Sequence, residues 1–346
     1  MSTNTPAHEL VALIFSPSTE TSTAWQHIFT NVAATLENHF GHALPTLSFR
    51  WLDSNCKTTD PDQFASPGRV LEAKFSIPNA ISLRECKTLT DTILQPIQSK
   101  HKIELLLQPS LLHRSHALPG LAVFDMDSTL IQQEVIDELA RAVNLYEECA
   151  AITAAAMRGE EPYTDFAASL RARVRLLKGV PLSIWDDLKR DVITFTPGAR
   201  ELIKALRGLG WKTAVLSGGF MPLAQWVQSE LGLDFALANH LQEDAENQCL
   251  TGELVDGRVI VDGDMKRTVL MSLSEEHAIP KERIIAVGDG ANDLKMMEAA
   301  GLGIAFHAKP KVQLAATSRL NTESLQDVLY VLGRTKDEVQ SLLGAK

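Results

Sequence analysis

Two aspartates separated by one residue follow a short apolar run near the centre of the chain. The run is Leu121–Phe124, a proline-glycine pair precedes it, and Asp125 and Asp127 come directly after it. An apolar run bounded in this way predicts a buried strand of a parallel sheet, and open α/β sheets bind their ligands at the carboxyl ends of such strands. Two carboxylates on one face repel each other unless a cation lies between them. A turn that hydrogen-bonds its own backbone explains the same residues equally well.

Three more residues suited to phosphate chemistry occupy comparable places further along the chain. Ser217 ends an apolar run and precedes two glycines, which allow the backbone to approach a ligand closely. Asp289 also ends an apolar run, and Lys266 stands near the start of a predicted helix. Taken alone, Asp289 is most simply the start of a turn, and Lys266 is a solvated lysine.

In order and type, these residues resemble the four motifs of the haloacid dehalogenase superfamily. The run Asp125-Met-Asp127-Ser-Thr is similar to its first motif, D-x-D-x-T, and Ser217 is similar to the hydroxyl of its second motif. Lys266 matches the lysine of the third motif, and the run from Gly288 to Asp293 matches the acidic fourth motif. The resemblance makes Asp293 a metal-shell residue or an orienter of Lys266, where it would otherwise be an acid in the first turn of a helix.

The chemistry of phosphate esters explains these residue types. A phosphomonoester is a dianion, so an approaching carboxylate is repelled. At 4 Å, each pair of like unit charges costs roughly 1 kcal/mol in bulk water and roughly 4 kcal/mol near a protein surface. Carboxylate attack by Asp125 therefore needs compensating positive charge. Mg²⁺ suits Asp125 and Asp289 because it binds one or two carboxylates together with phosphate oxygens. Lys266 adds a further cation, and Ser217 with the Gly218 amide can donate to the transferring group.

The second acid of the first motif indicates hydrolysis. Attack by Asp125 would form an aspartyl-phosphate, and Asp127 would protonate the leaving alkoxide and then accept a proton from water. P-type ATPases and the dehalogenases proper lack an acid at this place. By analogy with the family, the backbone carbonyl of Asp127 meets the metal and the strand stops being regular at Met126.

A helix predicted over residues 163–177 places one arginine on its apolar stripe. At about 100° per residue, Arg173 shares a face with Phe166, Leu170 and Leu177, whereas its neighbouring arginines face the opposite side. An arginine among apolar residues must be paired or must meet a ligand, and its planar fork suits a carboxylate. Glu134 alone is most simply a first-turn helix acid. Together with Arg173, it offers an anion for an ammonium group and a cation for a carboxylate, as an α-amino acid requires.

Residues 120–330 closely resemble the phosphoserine phosphatases in the runs 125–134, 169–174, 217–220, 238–239 and 287–293. The resemblance implies Mg²⁺-dependent hydrolysis of O-phosphoserine, the last step of serine biosynthesis. It assigns the following roles: catalysis to Asp125, Asp127 and Lys266; metal binding to Asp125, Asp127, Asp289 and Asp293; and substrate binding to Glu134, Met157, Phe166, Arg173, Ser217, Gly218, Lys266 and Asn292. A phosphatase for another small phosphorylated amino acid or alcohol, including one that transfers phosphate to an alcohol, is the nearest alternative.

The elements that must position these residues form an α/β pattern. Strands alternate with helices of 10–15 residues, which predicts a doubly wound parallel sheet over residues 120–346. Four helices are expected at 133–144, 146–157, 163–177 and 184–192, as a small cap inserted at about 133–192 after the first strand. A hairpin is expected at 249–261.

Residues 1–110 form a unit of their own. Their predicted order, βαββαβ, is that of a ferredoxin-like α+β domain and resembles ACT-type regulatory domains. The glycine-bearing turn at which such domains bind amino acids is here Ser16-Pro-Ser-Thr-Glu20, which favours a structural or dimerising role. Residues 111–119 are the expected linker. An amino-acid sensor acting through this unit is the alternative function from a different class.

Composition excludes several other classes. The formal charge of -10, with no lysine or arginine block, argues against a nucleic-acid surface. No apolar run approaches the ~20 residues that span a bilayer, and no secretory leader is visible. Cys56, Cys86, Cys149 and Cys249 are scattered, which suits reduced thiols in a cytoplasmic protein. The expected partner is a small phosphorylated substrate, with a homodimer as the one protein partner suggested.

Overall fold

The computed structural model of the chain describes residues 8–54, 64 and 67–344. Cys56 lies outside the described residues, and the other three cysteines are free thiols. Among the described helices, none combines the length and the apolar character needed to cross a bilayer.

The N-terminal part of the chain is built on a four-stranded antiparallel sheet of order β2-β3-β1-β4. Its elements are β1 (His8–Phe15), α1 (Ser22–Phe40), β2 (Thr46–Trp51), β3 (Val70–Ile77), α2 (Leu83–Asp91), α3 (Gln95–His101) and β4 (Glu104–Pro109). The helix predicted over residues 83–99 is divided in two. Leu94 is fully buried where α2 and α3 meet, and a proline in the first turn of α3 suits a new helix start.

The segment expected to be a linker contains a short helix, α4 (Ser110–Ser115). Beyond it lies a six-stranded parallel sheet of order β12-β11-β10-β5-β6-β7. Its strands are β5 (Leu121–Phe124), β6 (Lys212–Phe220), β7 (Phe235–Asn239), β10 (Ile284–Gly288), β11 (Leu302–Phe306) and β12 (Ser318–Leu320). Strands β5, β10 and β11 are completely buried, which explains their unbroken apolar sequences. The strand order places β5 between β10 and β6, so the three acidic or hydroxyl-bearing strand ends are neighbours.

Helices lie between β5 and β6, and all but the last of them fall in the region expected to form the insert. They are α5 (Val135–Ala142), α6 (Tyr146–Arg158), α7 (Phe166–Arg175), α8 (Ile184–Asp187) and α9 (Ala199–Gly208). After β6 come α10 (Met221–Leu231), a hairpin of β8 (Leu241–Asp244) and β9 (Cys249–Leu254), α11 (Gly263–Glu276), α12 (Leu294–Ala299), α13 (Pro310–Ala315), α14 (Val328–Val331) and α15 (Lys336–Gly344). The hairpin predicted over residues 249–261 therefore begins earlier, at Leu241. Two backbone hydrogen bonds of 2.8 Å, from Gly179 to Leu250 and from Leu250 to Val180, join it to the segment after α7.

Candidate active site

The first acidic motif lies in an irregular turn at the carboxyl end of β5. The strand ends at Phe124, and Ser128 adopts a left-handed conformation with φ of 54°. Asp125 keeps an extended backbone, and the irregular turn begins at Met126, between the two acids, as the sequence predicted. The turn directs Asp125 and Asp127 into different surroundings, although both line one cavity.

Three buried aspartates form an acidic cluster at adjoining strand ends. One carboxylate oxygen each of Asp125, Asp289 and Asp293 lies within 4.8 Å of the others. Burial, followed by the charges of Asp125 and Glu134, raises the pKa of Asp289 to about 7. A bound divalent cation would remove the repulsion between these carboxylates. Carboxylate oxygens are the ligands that Mg²⁺ prefers, so the cluster fits that ion. The side chain of Asp127 is not part of this cluster.

Lys266 lies fully buried between two of these acids. Its Nζ is 2.8 Å from Asp125 Oδ1 and 2.7 Å from Asp293 Oδ1. Burial disfavours its ammonium form, but the two carboxylates outweigh that effect and raise the pKa of Lys266. Asp293 also accepts a hydrogen bond of 3.0 Å from the Gly290 amide. Asp293 thus orients Lys266 and contributes to the acidic cluster, which unites its two predicted roles.

Asp127 is held at the start of α5 and forms no ion pair with Lys266 among the described residues. Its Oδ2 accepts a hydrogen bond of 3.0 Å from the Val135 amide at the start of α5. Its Oδ1 is buried and has no hydrogen-bond partner among the described residues. Burial, then the charges of Glu134 and Asp125, raise the pKa of Asp127 well above its usual range. A protonated acid at this place can donate to a leaving group.

The end of β6 brings a hydroxyl and a glycine backbone to the same cavity. The Gly219 amide donates to Ser217 Oγ at 2.8 Å. A Cβ on Gly218 would lie 2.9 Å from the ring of Phe166, so only glycine fits beneath that ring. The same Cβ would lie 3.7 Å from Asn292 Nδ2, which places Asn292 beside this backbone.

The cavity has a volume of about 530 Å³ and extends from the acidic cluster towards α6 and α7. All the predicted substrate-binding side chains except that of Lys266 line it, together with the Gly218 backbone: Glu134, Met157, Phe166, Arg173, Ser217 and Asn292. Met157 is 59% exposed, so it forms part of the rim.

Arg173 has no carboxylate within 4 Å among the described residues. Its Nε donates to the Ser169 carbonyl at 3.3 Å, and burial lowers the pKa of its guanidinium despite the acids in its vicinity. Glu134 Oε1 accepts a hydrogen bond of 2.8 Å from Ser128 Oγ. Burial chiefly raises the pKa of Glu134. Arg173 is half-buried and has no ion pair, and Glu134 is open to the cavity. Each gains from a ligand of opposite charge.

A model of the haloacid dehalogenase-like hydrolases matches residues 122–298. This chain belongs to that family. A probable phosphoserine phosphatase of Schizosaccharomyces pombe is 50% identical over 226 residues, which are 65% of this chain and 74% of that protein. A phosphoserine phosphatase of Idiomarina loihiensis is 48% identical over 217 residues, which are 63% of this chain and 95% of that protein. These relatives identify the hydrolase as a phosphatase of the phosphoserine phosphatase type.

One solved structure is similar over nearly the whole chain. It is that of a haloacid dehalogenase family hydrolase from Salmonella enterica serovar Typhi, with 26% identity and a TM-score of 0.71. The match covers 94% of this chain and 98% of that chain. The likeness therefore extends beyond the hydrolase family match into the N-terminal sheet.

Two further residues of this hydrolase contact the site but escaped the sequence analysis. Ser128 holds Glu134, and Lys309 lines the cavity, where its charge acts on Asp289 and Glu134. Lys309 follows β11 by three residues. The strand-end reasoning that found Asp289 would have found Lys309 if it had been applied to the next strand.

Proposed function

We propose that this chain hydrolyses O-phosphoserine to serine and phosphate with the help of Mg²⁺. The observation that carries the proposal is the composition of one cavity. Asp125, Asp289 and Ser217 lie at one end, and Glu134 and Arg173 line the walls beyond them. The first group suits a phosphoryl dianion, and the second suits an ammonium and a carboxylate.

The first half of the reaction transfers the phosphoryl group to the enzyme. The Asp125 carboxylate attacks phosphorus while the bond from phosphorus to the serine oxygen breaks, which gives an aspartyl-phosphate. The proton of Asp127 passes to the departing oxygen, and serine leaves as a neutral alcohol. Lys266, the Ser217 hydroxyl and the Gly218 amide stabilise the charge on the phosphoryl oxygens.

The second half returns the enzyme to its starting state. Asp127, now a carboxylate, takes a proton from water as that water attacks phosphorus. The bond between phosphorus and the Asp125 oxygen breaks, and inorganic phosphate leaves. Asp127 ends the cycle protonated, which matches its raised pKa in the resting structure.

The metal would be held by the carboxylates of Asp125 and Asp289, with Asp293 beside them and the Asp127 carbonyl as a further oxygen ligand. When bound, Mg²⁺ neutralises charge on the phosphoryl group and on its attacking carboxylate. The three carboxylates gathered within 4.8 Å support this assignment.

The remaining architecture is also part of the proposal. Helices within about 133–192 act as a cap whose Phe166 and Met157 form the apolar wall over the serine methylene. Residues 1–110 form a ferredoxin-like unit, joined by 111–119 to a hydrolase domain at 120–346, and this unit serves structure or homodimerisation. The element order and the antiparallel sheet support the ferredoxin-like assignment. The free thiols are consistent with a cytoplasmic location.

A competitive substrate panel tests the substrate assignment. Phosphoserine, phosphothreonine, phosphoethanolamine and glycerol phosphate would be offered at equal concentration, and the products would be quantified together. Phosphoserine should be consumed first. It carries both an ammonium and a carboxylate, and unlike phosphothreonine it has no methyl group on the carbon that bears the phosphate. Faster consumption of phosphoethanolamine, which has no carboxylate, would replace the assignment with an alcohol phosphatase.

A further inference from the structure

Asn239 is a buried residue, 3% exposed, at the end of β7. Its Nδ2 donates to the Gly218 carbonyl at 2.8 Å, and its Oδ1 accepts from the Val261 amide at 2.9 Å. A backbone carbonyl requires a donor and a backbone amide requires an acceptor, so the orientation of this side-chain amide is fixed at both ends.

The bond to Gly218 fixes one peptide of the phosphate-binding loop. The carbonyl of the peptide between Gly218 and Gly219 is held by Asn239, and its N–H donates to Ser217 Oγ at 2.8 Å. Because Ser217 Oγ accepts this hydrogen bond, its own hydroxyl hydrogen points elsewhere. Ser217 is shielded from bulk solvent but lines the cavity, so that hydrogen can be donated to a phosphoryl oxygen bound there.

The bond to Val261 connects the same loop to the lysine helix. Val261 precedes Asp262, whose Oδ1 accepts from the Met265 amide at 2.9 Å and thereby caps α11. Lys266 lies in the first turns of this helix. Asn239 therefore joins the two segments that bring Ser217 and Lys266 to the phosphoryl group.

We propose that Asn239 is a positioning residue for phosphoryl transfer. It fixes the peptide after Gly218, and through that peptide it directs the Ser217 hydroxyl at the phosphoryl group while keeping Ser217 in register with Lys266. The inference rests on the proposed phosphatase reaction but not on the identity of the alcohol, because every contact concerns the phosphoryl end of the cavity.

The test is Asn239→Asp, which preserves shape and the acceptor for Val261 but removes the donor to Gly218. The control is Gln108→Glu. Gln108 is fully buried, and its Nε2 donates to the Val331 carbonyl at 3.0 Å, far from the cavity. Both variants lose an amide donor to a buried carbonyl and gain an acid, so both should lower the melting temperature. Only the first should change phosphate chemistry.

Three quantities would be measured per folded molecule: kcat/KM for phosphoserine, kcat/KM for para-nitrophenyl phosphate, and the inhibition constant of inorganic phosphate. Asn239→Asp should lower both kcat/KM values by a similar factor of about 10², the scale of one lost or misplaced donor, and should weaken phosphate inhibition about tenfold. Gln108→Glu should leave all three within twofold.

The proposal is overturned if Asn239→Asp keeps both kcat/KM values within threefold of the unchanged enzyme, or if phosphate inhibition does not move. If the aspartate variant does not fold, Asn239→Ala is judged by the same criteria, with an expected loss of about tenfold. Failure of phosphoserine as a substrate would leave the other two readouts intact, so it is distinguishable from failure of this inference.

Discussion

Two clusters of charged residues, each built around buried carboxylates, differ in how their charges are balanced. The first, the joint, connects the N-terminal sheet to the rest of the chain. In it, Glu72 accepts two hydrogen bonds of 2.8 Å from Arg50, and Asp327 accepts one of 2.7 Å from Arg69. Arg319 lies 3.4 Å from Glu104. Burial alone would raise the pKa of Glu72, but the hydrogen bonds and charge of Arg50 have the larger opposite effect, so the pKa is lowered.

The second cluster is the catalytic cavity, where the acids outnumber the bases. Among the described residues, Lys266 is the one cation that forms an ion pair within 4 Å with any acid of this cavity. The acids are Asp125, Asp127, Glu134, Asp289 and Asp293. Burial and neighbouring acids raise the pKa values of four carboxyl groups in this cavity, those of Asp127, Glu134, Asp289 and Asp293.

The difference separates structural charges from functional ones. A buried charge that has its partner within the chain holds two segments together, and nothing further is needed to stabilise it. An excess of buried charge of one sign is costly in the free protein and becomes favourable when a cation and a charged substrate arrive. Substitutions in the two clusters should therefore have opposite signatures.

The largest effect is expected for Asp125→Asn. The variant should lose at least about 10³ in kcat for phosphoserine, because an amide does not form the covalent intermediate. Its melting temperature should stay within a few degrees, since one of several like charges is removed. Phosphate release and thermal melting of the same preparation measure both. Phosphoserine hydrolysis retained by this variant would exclude Asp125 as the nucleophile.

Arg173→Ala should have the next largest effect, and the effect should depend on the substrate. We expect a loss of about 10² in kcat/KM for phosphoserine and less than threefold for para-nitrophenyl phosphate, which has no carboxylate. Arg171→Ala, at an exposed position on the same helix, is the matched control and should be silent. Equal losses on both substrates would remove the amino-acid assignment and leave a phosphatase.

In the joint, Glu72→Gln should reverse this pattern. The side chain of Glu72 is fully buried, and its loss leaves Arg50 without a counter-ion, which should lower the free energy of unfolding by about 3 kcal/mol. The kcat should stay within twofold. Urea unfolding checks the first value, with Glu253→Gln, in an exposed pair 3.9 Å from Arg175, as a control expected below about 0.5 kcal/mol. A tenfold loss of kcat in Glu72→Gln would erase the distinction between the clusters.

A smaller difference between the clusters is expected in how the stability of each depends on pH. Two buried histidines also belong to the joint, since His113 Nε2 lies 3.3 Å from Glu72 and the His116 carbonyl accepts a hydrogen bond of 3.0 Å from Arg334. Burial lowers the pKa of His113 to about 4 and that of His116 to about 3. The unfolded chain therefore binds protons more readily at these groups, and the joint loses stability as the pH falls below about 6.5. Asp289 has the opposite sign. Its folded pKa of about 7 exceeds the unfolded value, so the metal-free cavity loses stability as the pH rises from about 4 to 7.

Thermal melts between pH 5 and 8, with and without Mg²⁺, would resolve these two contributions. Mg²⁺ should raise the melting temperature more at pH 8 than at pH 5, because protons compete for Asp289 at low pH. A stabilisation by Mg²⁺ that is independent of pH would contradict the place given to Asp289.

The two clusters also differ in how far the sequence predicts them. Asp125, Ser217 and Asp289 stand at the ends of apolar runs, and parallel strands bring such ends together, so local sequence identified them as candidates. The order of the four superfamily motifs then favoured a catalytic role over ordinary turns. Lys266 and Arg173 needed the superfamily resemblance or helical periodicity.

The ion pairs of the joint could not be predicted from local sequence. Arg50, Glu72 and His113 come from separate elements, and each has the appearance of an ordinary surface residue in sequence. Arg50 and Glu72 face each other across β2 and β3, so their pairing depends on the register of those strands. The contact of Glu72 with His113 depends on how α4 packs on the sheet, and no local pattern in the sequence encodes either.

The division between α2 and α3 was missed because the burial of Leu94 depends on tertiary packing. The start of the hairpin at Leu241 was missed because it depends on the pairing of Leu241 with Leu254, which the turn signals after Cys249 did not indicate.

The most direct test of the central claim is phosphate release from phosphoserine before and after removal of divalent ions. The account predicts that EDTA reduces release to the background rate, and that Mg²⁺ added in excess restores it, because the acids of the cavity then regain their counter-charge. Release that continues unchanged in EDTA would contradict the account, since the buried acids would be acting without the cation that their excess charge requires.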